Sequence, residues 1–242
     1  MVWDTAIRYI ALVGIFVCFV LQFQLPKDNL NSKENPLIKQ TDGISQPGNT
    51  HYVISERSRK KAFISLCVIG CLDNATRTGA LTFFPFIMAQ KGASASTIGF
   101  SLTVLFIGGA AGKLVCGVLA PRLGILKTVA ISEIATAFIL LCLLITSLQV
   151  NYFLLIPLGI ALNGTSSILY GTVSDLAKPD QETRAFSVFY TTSLGCGAIM
   201  PYFYGVISDH IEIMPTMAII ALMVLIILPL LHPLKILTVL YK

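Results

Sequence analysis

The stretch 62–89, AFISLCVIGCLDNATRTGALTFFPFIMA, is apolar enough to cross a membrane, yet it carries Asp73 and Arg77 near its middle. At about 1.5 Å of rise per residue, Asp73 lies about 17 Å from the start of the stretch, close to the centre of a hydrocarbon layer about 30 Å thick. The two charges are four residues apart, so a helix puts them on one face. An ionised side chain at that depth costs from about 2.5 to more than 10 kcal/mol, and it faces a bundle interior or a water-filled cavity. The pair is therefore either a lock between two helices, each charge neutralising the other, or part of a polar pathway.

Composition places the whole chain in the same class. Hydrophobic residues make up 55% and charged residues 12%, whereas a soluble domain is about 25% charged. The expectation is an all-α integral membrane protein. A net charge of +5 would suggest nucleic acid in a soluble chain, but here it is read through where the basic residues fall, and no nucleic-acid partner is expected. All six cysteines lie in apolar runs and read as small packing residues. Cys67 and Cys71 share a helical face with no histidine nearby in sequence, so neither a metal nor another cofactor is expected.

Seven spans are expected. The first lies within 1–23; it is longer than the apolar part of a signal peptide and no small-x-small cleavage site follows it. Residues 24–61 turn abruptly to Pro, Asn, Ser, Gln, Lys and Glu and end in Arg57, Arg59, Lys60 and Lys61, which reads as a cytoplasmic linker. The remaining spans are expected over 62–89, 98–119, 128–148, 151–173, 186–207 and 213–231. In the third, Gly108 and Gly112 have the spacing that lets helix backbones approach closely. Lys113 follows them, and it either snorkels to the interface or meets an anion or carboxylate in a cavity. Glu133 in the fourth span is either an interfacial carboxylate or a partner for Lys113 or Arg122.

Lysines and arginines fix the expected orientation. Of the seventeen, seven fall in the linker, two each in the loop after the third span, the loop after the fifth, and the tail, while Lys91 stands alone on the other side. This asymmetry puts the linker and carboxy terminus in the cytoplasm and the amino terminus outside.

Asn74-Ala75-Thr76 and Asn163-Gly164-Thr165 match the glycosylation pattern. Both lie inside expected helices and read instead as polar groups at similar depth. If the last six spans are two three-helix repeats of inverted topology, the spans carrying them are counterparts, and the binding site lies near the midplane.

The run GKLVCGVLAPRLGILK resembles the loop between the second and third helices of each half of the major facilitator superfamily, roughly G-x-L-x-D-R-x-G-R-R. Gly117, Leu119, Arg122 and Gly124 match; Pro121 stands where the family has aspartate, and Ile125 and Leu126 stand where it has arginines. LDNATRTGALTFFPF, KGASASTIGFSLTVLFIGGAAGKLVCG and LYGTVSDLAKPDQETRAFSVFYT are similar, more narrowly, to the fosmidomycin-resistance type of efflux protein.

The resemblance implies that 1–23 is the family's sixth helix, 24–61 its central loop and 62–242 its carboxy-terminal half. The expectation is then a truncated or split transporter, or a subunit that needs a separate amino-terminal half or a second copy. It also implies a cavity lined by Asp73, Asn74, Arg77, Lys113, Asn163, Tyr190 and Thr191, with Arg77 meeting an anionic group of a small-molecule substrate and Asp73 holding Arg77 or exchanging a proton. Arg122 with Asp175 or Glu133 would form a cytoplasmic gate that takes in Gly117, Gly124 and Arg184. No catalytic residue is expected: the chain has no G-x-S-x-G, no H-E-x-x-H and no histidine at a helix centre.

Overall fold

A computed structural model of the chain describes residues 56–177 and 181–236, which are helical with no strand among them. They fall in one compact unit, Tyr52–Lys242. The helices are α1 (Glu56–Gln90), α2 (Ala95–Leu123), α3 (Ile125–Ile145), α4 (Leu148–Leu176), α5 (Glu182–Ile211) and α6 (Ile213–Met223); α6 continues through a 3-10 turn, Val224–Ile226, into α7 (Ile227–Leu230), and a last 3-10 turn spans Pro233–Ile236. The expected span within 1–23 lies outside the described residues, as does the linker up to residue 55. Its basic end, 56–61, opens α1 as helix instead.

By length and composition, four described helices can cross a membrane: α2, α3, α4 and the run Ile213–Leu230. α1 and α5 are longer than any of these, at 35 and 30 residues, but α1 carries Asp73, Asn74 and Arg77 mid-helix and α5 has its own polar run at Thr191, Thr192 and Ser193. These two more polar helices pack against each other, as α2 and α4 do.

Connections are short. Gly124 alone joins α2 to α3, with φ at 89°, a left-handed conformation that glycine adopts without a Cβ clash. Two cations of α1 then tie the bundle at both ends. Arg59 donates from Nε to the Leu176 carbonyl at 2.7 Å and from Nη2 to the Ala177 carbonyl, satisfying acceptors that the end of α4 leaves unused. Lys91, just past the other end of α1, donates to the Leu143 carbonyl at 2.6 Å and to the Thr146 carbonyl at the end of α3. The start of α1 thus meets the end of α4, and its end meets the end of α3. This makes α1 antiparallel to α4 and parallel to α3.

The apolar core comes in two parts. One gathers Leu66, Ile69, Val129, Leu169, Val173 and Phe189 with Val224 and Ile227; the other gathers Phe84, Ile87, Leu140, Leu155, Leu162 and Tyr204 with Met217 and Ile220. Buried polar residues lie between these two clusters on α1 (Asp73, Asn74 and Thr76), α4 (Thr165 and Ser166) and α5 (Ser193), and on α3 Ser132, Glu133 and Thr136 lie between Val129 and Ala137 of the first cluster. A polar layer therefore crosses the middle of the bundle.

Candidate functional site

The layer is built from short i to i+3 and i+4 repeats that put successive polar side chains on one helix face. On α1, Arg77 Nη2 stands 3.9 Å from Asp73 Oδ2 and donates to Asn74 Oδ1 at 2.5 Å. Asn74 in turn donates from Nδ2 to the Ser193 carbonyl at 2.8 Å, and Ser193 Oγ donates to the Gly70 carbonyl at 2.8 Å. This chain of bonds runs from a guanidinium through an amide into α5. Asp73 is 5% exposed, and the side chain of Arg77 is 14% exposed.

Glu133 enters from α3. It is 1% exposed and lies within electrostatic reach of both Asp73 and Arg77. Thr165 of α4 stands beside its carboxyl, close enough for their side chains to interact. Arg77 thus pairs with Asp73, and Glu133 interacts with that pair without an ion pair of its own to the guanidinium. Sequence position alone set Glu133 among the cytoplasmic gate residues, a turn and a half from Lys127; in the fold it is buried and interacts with Asp73 and Arg77 of α1.

The other expected pathway residues divide. Asn163 is partly buried on α4 and faces α2, its Nδ2 bonded to the Gly159 carbonyl of its own helix at 3.3 Å. A Cβ added to Gly109 of α2 would stand 2.7 Å from that Nδ2. Lys113 is exposed on α2, away from the layer. Thr191 is exposed on α5, and Tyr190 is partly open, its ring stacked on Tyr170 at 4.7 Å between centroids. Sequence reading took Thr76 and Thr165 only as the ends of the two Asn-x-Thr segments and passed over Thr136 and Ser193; for Thr136 the signal was a hydroxyl one turn from Glu133 within an apolar helix.

At the ends of α2 and α4 a cavity of about 870 Å³ collects Gly117, Gly124, Lys127, Gly171, Asp175 and Lys235. Three expected gate residues, Gly117, Gly124 and Asp175, meet there. Arg122 is exposed at the end of α2 and Arg184 is exposed near the start of α5. Among the described residues no group of three or more His, Cys, Asp or Glu side chains is placed to hold a metal ion.

A family model described as Major Facilitator Superfamily matches residues 66–237, so the match begins within α1 and takes in every later helix. No curated protein and no solved structure matches the chain.

Proposed function

The chain belongs to the major facilitator superfamily, and on that premise we propose that its polar layer is the coupling site of a proton-driven exporter of small organic solutes. It is an integral membrane transporter of small molecules, of a family whose members carry solutes rather than transform them. The observation that carries the finer reading is the buried trio: the Asp73–Arg77 pair on α1, with the Glu133 carboxyl of α3 within electrostatic reach of both. A carboxyl without a full counter-charge in a dry layer is stable when it holds a proton and costly when it does not, and that difference couples proton release to solute binding. Arg77, the most exposed of the three, meets an anionic group of the solute.

The helices described act in this proposal as the carboxy-terminal half of the fold, arranged as two inverted repeats, α1–α3 and α4 to the run Ile213–Leu230. Support comes from matched contacts: Asn74 of α1 packs on Gly197 of α5, and Asn163 of α4 packs on Gly109 of α2. Exchanging the repeats exchanges one contact for the other. The amino-terminal end faces outward and the carboxy-terminal end the cytoplasm of a bacterial inner membrane, as the lysine and arginine asymmetry favours.

α5 buries four of its thirty residues and presents Tyr190, Thr191, Tyr202 and Phe203 outward. This mixed polar and aromatic surface is where a second helical bundle closes. It also supports the second reading, a subunit that transports nothing until such a bundle is present.

Drug-sensitive bacterial cells expressing the chain, alone and with a matching amino-terminal half, test these readings through survival on fosmidomycin, the solute suggested by the sequence likeness. Protection that disappears with Asp73→Asn supports export. Protection only with the added half selects the subunit reading, and sensitivity unchanged in both cases rejects this solute class.

A further inference from the structure

The cysteines of this bundle are not all packed away. Cys116 is buried, but Cys67 and Cys71 of α1 and Cys196 of α5 are half-buried, each with a free thiol. They lie along the seam between α1 and α5. Ser193 Oγ donates to the Gly70 carbonyl, Asn74 Nδ2 donates to the Ser193 carbonyl, and Asn74 packs on Gly197. The two helices therefore run side by side in the same direction, with Gly70 level with Ser193 and Asn74 level with Gly197. Beside this line of contact, Cys67 and Cys71 share one face of α1, and Thr192 and Cys196 share one face of α5, each pair four residues apart.

Contacts within this patch cross the seam. The Cys71 and Cys196 thiols are hydrogen-bond partners, and Thr192 stands within hydrogen-bonding reach of both Cys67 and Cys71. The Thr192 hydroxyl gives its own proton back to the Val188 and Phe189 carbonyls. A cysteine used only as a small packing residue needs neither a second thiol nor access from outside. Cys71 and Cys196 have both.

We propose that Cys71 and Cys196 form a redox modification site, which an oxidant of the peroxide class converts to a disulfide tying α1 to α5 and which cellular thiols reopen by exchange. One sulfur attacks hydrogen peroxide and keeps one oxygen as a sulfenic acid, while the other oxygen leaves as water. The second sulfur then attacks the sulfenic sulfur, forms the S–S bond and expels that oxygen as water. Two thiol hydrogens and two electrons leave the protein, and one peroxide becomes two waters. An S–S bond of about 2.05 Å is shorter than a hydrogen bond between thiols, so side-chain rotation closes the difference. The bond lies between the Gly70–Ser193 and Asn74–Gly197 contacts, and it fixes the register in which α5 holds Asn74 and, through it, Arg77. Cys67 is the wrong partner, because its bond to Cys71 would join two turns of α1 and leave α5 free.

The test uses the full chain in the membranes of cells that express it. The membranes are treated with hydrogen peroxide, remaining thiols are capped with a maleimide, and the digested protein is read by mass spectrometry without reduction. A linked pair of peptides carrying Cys71 and Cys196, lighter by two hydrogens than the free pair, should appear and should vanish after dithiothreitol. The link should be lost in Cys71→Ser and in Cys196→Ser and kept in Cys67→Ser. The measurement on the unsubstituted chain decides the matter even where a serine variant does not fold. Cys71 and Cys196 both capped by maleimide after peroxide, or oxidised to sulfonic acids without a link, overturns the site. So does Cys71 linked to Cys67 or to a cysteine of a second chain. Only sulfur is followed here, so the outcome is independent of which solute or ion the polar layer handles.

Discussion

Gly197 of α5 meets Asn74 of α1 so closely that a Cβ on the glycine would stand 2.6 Å from the asparagine's Nδ2. That amide already bonds Arg77 through its oxygen and the Ser193 carbonyl through its nitrogen, so it cannot yield without breaking the polar layer. Gly197→Val should therefore lower stability by about 1–3 kcal/mol, seen as a fall in melting temperature in detergent. Gly109→Val should do the same, because Asn163 stands opposite it. Gly117→Ala is the contrasting case: nothing lies within 4 Å of its added Cβ, and the helix should gain up to about 1 kcal/mol.

Arg59→Gln should free the Leu176 and Ala177 carbonyls at the end of α4. A charge-assisted cap of this kind contributes about 1–2 kcal/mol. Hydrogen exchange should show faster opening of the last turns of α4 in the variant, with α2 unaffected. Lys91→Gln should loosen the end of α3 in the same way.

Much of the helix order was legible in hydropathy alone, because α2, α3 and α4 are apolar runs broken by Gly124 and by Thr146 and Ser147. The start of α1 was not. Its opening residues, Glu56 to Lys61, have the composition of a linker, and only the tertiary bond from Arg59 to the end of α4 shows what holds them in a helix. Glu133 was hard to place for a related reason: its nearest charges in sequence are Lys127 and Arg122, while in the fold it interacts with Asp73 and Arg77, some 60 residues earlier. Sequence spacing finds partners on one helix and is blind to those brought by packing. The pairing of Asn74 with Gly197 was hidden likewise, since neither residue is unusual in its own span.

Exchanging Asp73 and Arg77 keeps both charges in the layer at i and i+4 spacing. If they were only a lock, the exchanged protein would fold and work. The proposed role predicts a folded protein that has lost transport at least tenfold, because the guanidinium no longer bonds Asn74. Size-exclusion elution together with solute uptake into liposomes separates the two outcomes.

Glu133→Gln should separate exchange from coupling. An amide fills the same volume but holds no exchangeable charge, so solute-for-solute exchange across liposomes should persist while accumulation driven by a pH gradient falls at least tenfold. Loss of both activities together would place Glu133 in solute binding instead.

Proton movement itself is the most direct test of the central claim. The protein is reconstituted in liposomes, together with a matching amino-terminal half where transport needs one, and a pH-sensitive dye inside reports proton flux as solute is added outside. The account predicts that solute drives a proton flux of opposite direction, abolished by Asp73→Asn and by an uncoupler. Solute crossing at an unchanged rate with no accompanying proton flux would contradict it.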